Sequence, residues 1–331
     1  MTTITSQLTM FGLDETIRRA EAEAANEAER RRARQRVEIA HDVMSALPEE
    51  DDLRYQHSGL CQTFLPHSRP KTDEAVWERQ SGAFLLSVSP GRLGGKWVGV
   101  PFGAKARLIM IHLQTEGMKS RTVHLGDSLT AFLRALGLAA NGGRGGTIPA
   151  VREQCIRLMR CKFTLEWTEK NPGRVGIQDI AIADKQLLWT GEEKGDWSAT
   201  LELSESFHHH LRQHAVPLDK RGIAHLAGNS FGLDLYTLLA YRLPQLRAPT
   251  FIRWSSLMGQ MGAGYSSPRD LAKRVRAVLP DVLVAYPHAK LEALPTGLKL
   301  FPSNPSVPPK TQVTGFRVIE GEPTKKRLVL R

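Results

Sequence analysis

The chain has 331 residues, with 45 Lys and Arg against 34 Asp and Glu for a net charge of +11, and three cysteines. That length exceeds what one hydrophobic core usually supports, so two domains with extensions are expected, and an isoelectric point near 9.8 favours a polyanion binder over an ordinary metabolic enzyme. Cys61, Cys155 and Cys161 show no C-x-x-C or Cys/His ligand spacing, which argues against a disulfide framework or a zinc knuckle and fits a reducing cytosol.

The N-terminus MTTITSQLTMFG lacks a charged-then-apolar leader, and no apolar run approaches the roughly 18 residues that span a bilayer. A cytoplasmic protein with no membrane partner is expected. Residues 14–47 contain no Gly or Pro and are rich in Ala, Glu and Arg, which predicts one long N-terminal helix within a unit of residues 1–50. Its apolar stripe is thin. Acidic residues such as Glu21, Glu23 and Glu27 crowd its first half and Arg30, Arg31, Arg32, Arg34 and Arg36 its second, as the helix dipole prefers. A solvated helix is one reading, and an arm that tracks DNA or binds a partner is the other. Residues 51–73, with Pro66 and Pro70, read as a connector.

A first compact unit is expected over residues 74–203. GAFLLSVSP and KWVGVPF read as strands separated by the turn-forming GRLGG, residues 104–117 as an amphipathic helix, and RTVHLG as a short strand. The strand around Phe84 and Val88 either pairs across a dimer or closes this unit. Asp127 or Ser128 caps the helix SLTAFLRALG. After the loop NGGRGG, Thr147 and Pro149 open a helix running to Arg160. The strands CKFTLEW and RVGIQDIAIAD then form a wing-like hairpin.

A second unit, residues 204–303, repeats the order. An apolar helix FGLDLYTLLAYRL precedes the strand FIRWS, the helix SSLMGQMG, the basic helix SPRDLAKRVRAVLPDVLVAYP and the strand pair AKLEAL and GLKLF. Helix, strand, helix, basic helix and hairpin is the pattern of a winged helix, which lays one helix in the DNA major groove. The expected fold class is therefore α+β: two tandem winged-helix (helix-turn-helix) domains with a long N-terminal helix. Residues 304–331 form a basic tail. Residues 251–331 hold 13 basic and 5 acidic side chains, most of the net charge, and this makes the second unit the principal expected reader.

Phasing both basic helices at about 100° per residue assigns the contacts. In the first, Val151, Cys155, Ile156, Leu158 and Met159 share a buried side, leaving Arg152, Glu153, Gln154, Arg157 and Arg160 outside. In the second, Leu271, Val275, Val278 and Leu279 form the buried stripe while Arg269, Lys273 and Arg276 line the opposite side, flanked by Arg274 and Asp270. Arg forks suit guanine edges, Gln suits adenine, and Lys neutralises phosphate. Arg144 in the glycine loop and Lys290 beside the last strand pair complete the expected DNA-binding set. The partner implied is double-stranded DNA, with no catalytic residue, cofactor or metal.

The segments HSGLCQTFLPHSRP, WVGVPFGAKARLIMIHLQTEG, GGRGGTIPAVREQCIRLMRCKFTL, HAVPLDKRGIAHL with SFGLDLYTLLAYRL, and VAYP followed by GLKLFPS together resemble the plasmid-encoded RepA-type replication initiators over roughly residues 57–305. The resemblance implies a tandem winged-helix protein that binds repeated sites, the iterons, at a plasmid origin. It further implies opening of an adjacent AT-rich segment, recruitment of the host initiator and replicative helicase, repression of its own promoter, and a homodimer in equilibrium with monomer.

Two other readings stand beside it. A rolling-circle, metal-dependent nickase would need histidines on a strand and an attacking tyrosine. His208, His209 and His210 instead follow Ser204 in a capped helical pattern, and Tyr236, five residues before Tyr241, sits in an apolar helix. A winged-helix transcriptional regulator would show the same periodicity, and only the resemblance separates it from an initiator. No G-x-x-x-x-G-K-[ST] phosphate loop is present, so nucleotide hydrolysis by the chain itself is not expected.

Overall fold

A computed structural model describes residues 4–82, 84–143, 145–168, 175–180, 185–186 and 200–309. It opens with two helices, α1 (Ile4–Ala22) and α2 (Glu27–Ser45), folded back on each other as a hairpin. The single long helix expected here is thus corrected to a pair. The break has a local cause: the Asn26 side chain accepts the Glu29 N–H at 2.9 Å, and the Glu29 carboxylate accepts the Ala25 N–H at 2.9 Å. These bonds satisfy donors at a new helix start and compete with continuation of the old one. Folding back also gives the thin apolar stripe something to cover. Leu8 and Ile17 of α1 pack with Val37 and Ala40 of α2 and with Val284, far along the chain.

Strand β1 (Leu53–His57) lies within the segment expected to be a connector. Leu60, Cys61, Phe64 and Leu65 follow it into the core, so this segment is structural rather than a spacer. A hairpin, β2 (Trp77–Ser81) and β3 (Phe84–Ser89), precedes a second, smaller one made of β4 (Arg92–Leu93) and β5 (Lys96–Trp97). The turn between β4 and β5 is Gly94–Gly95, both at positive φ (56° and 77°), the backbone that a two-residue turn needs to match strand twist.

Helix α3 (Gly103–Lys119) is the central rod. Ten of its residues are buried, more than one amphipathic stripe would cover, because it packs against β1 and several later elements. After it come β6 (Thr122–His124), α4 (Leu129–Ala135) and α5 (Thr147–Arg160). Ser128 caps α4 by accepting the Ala131 N–H at 3.0 Å, as expected. Gly146, not Thr147, is the cap position of α5, and the Thr147 hydroxyl instead donates to the Ala139 carbonyl.

Strands β7 (Lys162–Thr168), β8 (Val175–Ile180), β9 (Lys185–Gln186) and β10 (Thr200–Glu202) follow. The expected hairpin of β7 and β8 is present. Its first strand also pairs with β3, giving an antiparallel sheet in the order β2–β3–β7–β8. Both edges of β3 are therefore occupied within the chain, so the dimer-edge option for that strand is not the arrangement found. Strand β10 lies between β6 and β9 in a separate three-stranded sheet.

Helix α6 (Glu205–His214) is capped by Ser204, whose hydroxyl accepts the Phe207 N–H at 3.3 Å. Strand β11 (Ala215–Asp219) pairs antiparallel with β1, so residues some 160 positions apart in sequence lie side by side. Helices α7 (Lys220–Leu226) and α8 (Ser230–Arg242) come next, capped by Asp219 and Asn229. The chain then runs through β12 (Thr250–Arg253), α9 (Trp254–Met261), α10 (Pro268–Ala285), β13 (Leu291–Ala293) and β14 (Gly297–Leu300). Strand β14 is central in an antiparallel sheet of order β12–β14–β13. Helix α7 approaches α10 closely at Gly222, where a Cβ would lie 3.0 Å from both the Cβ and the carbonyl oxygen of Ala285.

The architecture is mixed α and β, as expected from the sequence. One cluster of buried side chains runs from Leu60 through α3, α5 and α8 to Leu300. At its middle, Asp234 of α8 accepts Arg107 Nε and Nη2 of α3, each at 2.6 Å, and pairs with His67 Nε2 at 2.8 Å. Arg107 spends its other donors on the carbonyls of Leu65, Pro66 and Gly103. Burial pushes the Asp234 carboxyl up, but the Arg107 and His67 charges outweigh it and hold the group below its ordinary range. No helix among the described residues is long and apolar enough to cross a membrane.

Candidate nucleic-acid interface

Helix α10 starts with a local signal. The Ser267 hydroxyl accepts the Asp270 N–H at 3.2 Å and donates to the Asp270 carboxylate at 2.7 Å, and Pro268 occupies the first turn, where its missing N–H costs nothing. Its apolar residues then select the face. Leu271, Val275, Val278 and Val282 are buried and Leu279 is half-buried, leaving Arg269, Lys273, Arg274 and Arg276 exposed. The phasing expected for this helix is the one found.

Two of these cations are held in place by uncharged partners. Arg276 Nη2 donates to the Leu294 carbonyl at 2.9 Å and its guanidinium lies 5.4 Å from the Trp254 ring centroid. Arg274 Nη2 donates to Asn229 Oδ1 at 3.0 Å and lies 5.7 Å from the Phe231 ring. Among the described residues none of the four makes an ion pair with a carboxylate, whereas Arg residues on α1, α2 and α5 do. The exposed Asp270, bonded to Ser267, stands beside these four cations, so the face is net positive without direct ion pairs. Lys290, ahead of β13, is exposed as well. Arg253 and Phe251, both exposed, stand on the outer face of the neighbouring sheet, where Phe251 is opposite Lys299. These three were not singled out in the sequence, although alternation in TFIRW and GLKLF was the signal that placed them outward.

The first basic helix is arranged differently, and two expected contacts are corrected. Arg157 is 2% exposed. Its Nη1 donates to the Val100 carbonyl at 3.1 Å and to Asp73 at 3.3 Å, its Nη2 donates to Glu153 at 2.9 Å, and the guanidinium faces the Phe102 ring. Gln154 is 3% exposed, its side-chain oxygen accepting the Phe102 N–H at 2.8 Å. Neither side chain is available to DNA in this arrangement. Of the apolar residues phased inward on α5, Val151, Cys155, Leu158 and Met159 are buried and Ile156 is half-buried. The opposite side, however, is covered by the extended segment around residues 98–102 and by Asp73. Arg160 is exposed and Arg152 half-buried, while Arg144 lies outside the described residues.

A histidine cluster also escaped the sequence reading because its members are far apart in the chain. His57 Nδ1 accepts the Gly59 N–H at 3.1 Å, which leaves the ring proton on Nε2 to bond His210 Nδ1 at 2.8 Å. The His214 ring is 4.3 Å from that of His210. Burial first, then the His210 and His214 charges, push His57 down to about 3. Among the described residues no group of three or more His, Cys, Asp or Glu side chains is placed to hold a metal ion. His208, His209 and His210 lie on helix α6, not on a strand, and the buried Tyr236 hydroxyl accepts the Asp219 N–H at 3.0 Å.

Residues 100–255 match the family model RepA_C, described as plasmid encoded RepA protein. The resemblance drawn from the sequence is borne out over those residues. Two crystal structures of domains 2 and 3 of RctB are also similar to the chain. The one of the selenomethionine derivatives has a TM-score of 0.44 at 13% identity, covering 66% of this chain and 82% of that one. The other has a TM-score of 0.44 at 14% identity, covering 73% of this chain and 94% of that one. No curated protein matches the chain by sequence.

Proposed function

We propose that this chain is a replication initiator that binds repeated duplex sites, the iterons, at a plasmid origin and acts through binding energy, without covalent chemistry. The observation that carries the reading is the exposed row Arg269, Lys273, Arg274 and Arg276 on α10, none of which is ion-paired among the described residues. The succession α8, β12, α9, α10, β13, β14 with sheet order β12–β14–β13 supports a winged helix that sets α10 in the major groove, with Arg253, Lys290 and Lys299 beside it on the backbone. The succession α3, β6, α4, α5, β7, β8 supports a second winged helix in tandem. With Arg157 and Gln154 buried, this first unit contributes support and backbone contact through Arg160 rather than base reading.

Adjacent copies on repeated sites bend or unwind the duplex, a deformation of about 1 to 6 kcal/mol repaid by added contacts. Recruitment of the host initiator and helicase, repression of its own promoter and exchange between monomer and homodimer complete the proposal.

A footprint of the full chain on the DNA flanking its own gene, followed by titration of the protected fragment, tests it. A protected set of direct repeats is expected, with Lys273→Ala and Arg274→Ala each weakening binding by about tenfold, since a base or phosphate contact carries about 1 to 3 kcal/mol. Unchanged affinity in both variants would remove α10 from the interface and overturn the reading.

A further inference from the structure

The N-terminal hairpin is fixed to the C-terminal half of the proposed reading helix by specific bonds. Arg36 of α2 donates to both oxygens of Asp281 on α10, at 2.6 and 3.1 Å, and Arg221 donates to the carbonyls of Asp42 and Ala46 at the end of α2, at 2.7 and 3.0 Å. Burial pushes the Asp281 carboxyl up, but His225 and Arg36 outweigh it and hold the group far below its ordinary range. This docking decides where the rest of α2 points.

On α10, Arg274 and Asp281 are seven residues apart, two turns on one face and about 10 Å along the axis. On α2, Arg32 is one turn before Arg36. Arg32 and Arg36 line a cleft of about 260 Å³ together with Gln35, His225, Asn229 and Asp281. Asn229 is the residue whose Oδ1 accepts Arg274. Arg32 therefore lies on the Arg274 side of the clasp, across one shared asparagine. It is exposed and makes no ion pair with a carboxylate among the described residues, whereas its neighbours Arg31 and Arg34 are paired with Glu27 and Glu38. The charge of Asp281 in the same cleft is already answered by Arg36.

We propose that the α1–α2 hairpin is a second phosphate-binding element, in which Arg32 continues the basic face of α10 past Asn229 along the backbone of the same DNA duplex. The inference rests on α10 facing DNA. Because Arg32 contacts phosphate and not a base edge, its contribution is independent of sequence.

The test is fluorescence anisotropy of the full chain with a labelled random-sequence duplex of about 30 base pairs, at several salt concentrations. Each lost phosphate contact lowers the slope of log affinity against log salt by about 0.9. Arg32→Ala is expected to show that loss and Arg32→Lys to restore it. Arg18→Ala removes the same charge from an exposed site on α1 paired with Glu15, and is expected to leave the slope unchanged. Equal slopes in Arg32→Ala and Arg18→Ala, with a reduced slope in Lys273→Ala, would overturn the hairpin contact and leave the α10 reading standing. An unchanged slope in Lys273→Ala as well would overturn both.

Discussion

His57 shows how one buried side chain ties stability to pH. It is 1% exposed at the junction of β1 and α6, facing His210 and His214, and is held neutral down to about 3. In the unfolded chain the same imidazole titrates at about 6.5, so between those values the unfolded state binds the extra proton. The sign follows directly: the contribution of His57 is complete above about pH 6.5 and is lost progressively as pH falls toward the folded value. At pH 5 the expected loss is about 2 kcal/mol, at 1.36 kcal/mol per unit. His210 is lowered by burial too and adds to the trend in the same direction. Urea denaturation at pH 7 and pH 5 measures it. His57→Asn keeps an acceptor near the Gly59 N–H and removes the titration, so this variant is expected to lose clearly less stability across that interval than the parent.

Helix α5 looks in sequence like a second reading helix, and its position in the fold explains why Arg157 and Gln154, two of the side chains expected to read bases, are buried. Arg157 bonds Val100, Asp73 and Glu153, and a buried guanidinium with those partners fixes α5 to the segment that leads into α3. Arg157→Ala is therefore expected to destabilise the protein by about 1 to 3 kcal/mol, from the unmet Val100 carbonyl and the freed carboxylates, while the folded fraction binds DNA as before. Denaturation midpoints beside titrations of active protein separate the two effects, and a weaker footprint at unchanged stability would restore Arg157 to the interface.

The contrast between α5 and α10 marks what periodicity can carry. Both stripes of apolar residues were legible, as were the caps at Ser128 and Ser204 and the strands β3, β6, β7, β12 and β14, because each depends on neighbours within a few residues. What covers the polar side of a helix depends on residues far away: Asp73 and Val100 over α5, solvent over α10. The same distance hid the pairing of β1 with β11 and the clasp of Arg36 on Asp281. The break at Asn26 was local and was outvoted by the helix-forming residues on either side. Asp234, a carboxylate in the apolar run SFGLDLYTLLAYRL, was a visible sign of a buried partner, but nothing in the sequence named Arg107.

At the scale of the molecule, the halves of the chain before and after residue 203 share one interior. Buried side chains run without interruption from α3 to α8, β1 pairs with β11 across the halves, and Asp234 joins Arg107 at the centre. Two halves so joined have no separate cores to melt one after the other, so unfolding is expected as a single transition in which α3 and α10 lose amide protection at the same denaturant concentration. Asp234→Ala strands a buried guanidinium and is expected to cost about 3 to 5 kcal/mol, shifting the whole transition rather than splitting it. Replacing both partners, Arg107→Met with Asp234→Leu, removes the stranded charge and is expected to recover only part of that loss, since the Leu65 and Pro66 carbonyls and His67 Nε2 lose their partners. Hydrogen exchange of the three proteins through the urea transition measures both expectations. If α10 stayed protected after α3 had exchanged, the halves would be separate folding units, and the Arg107–Asp234 bond would join two domains across an interface rather than lie within one core.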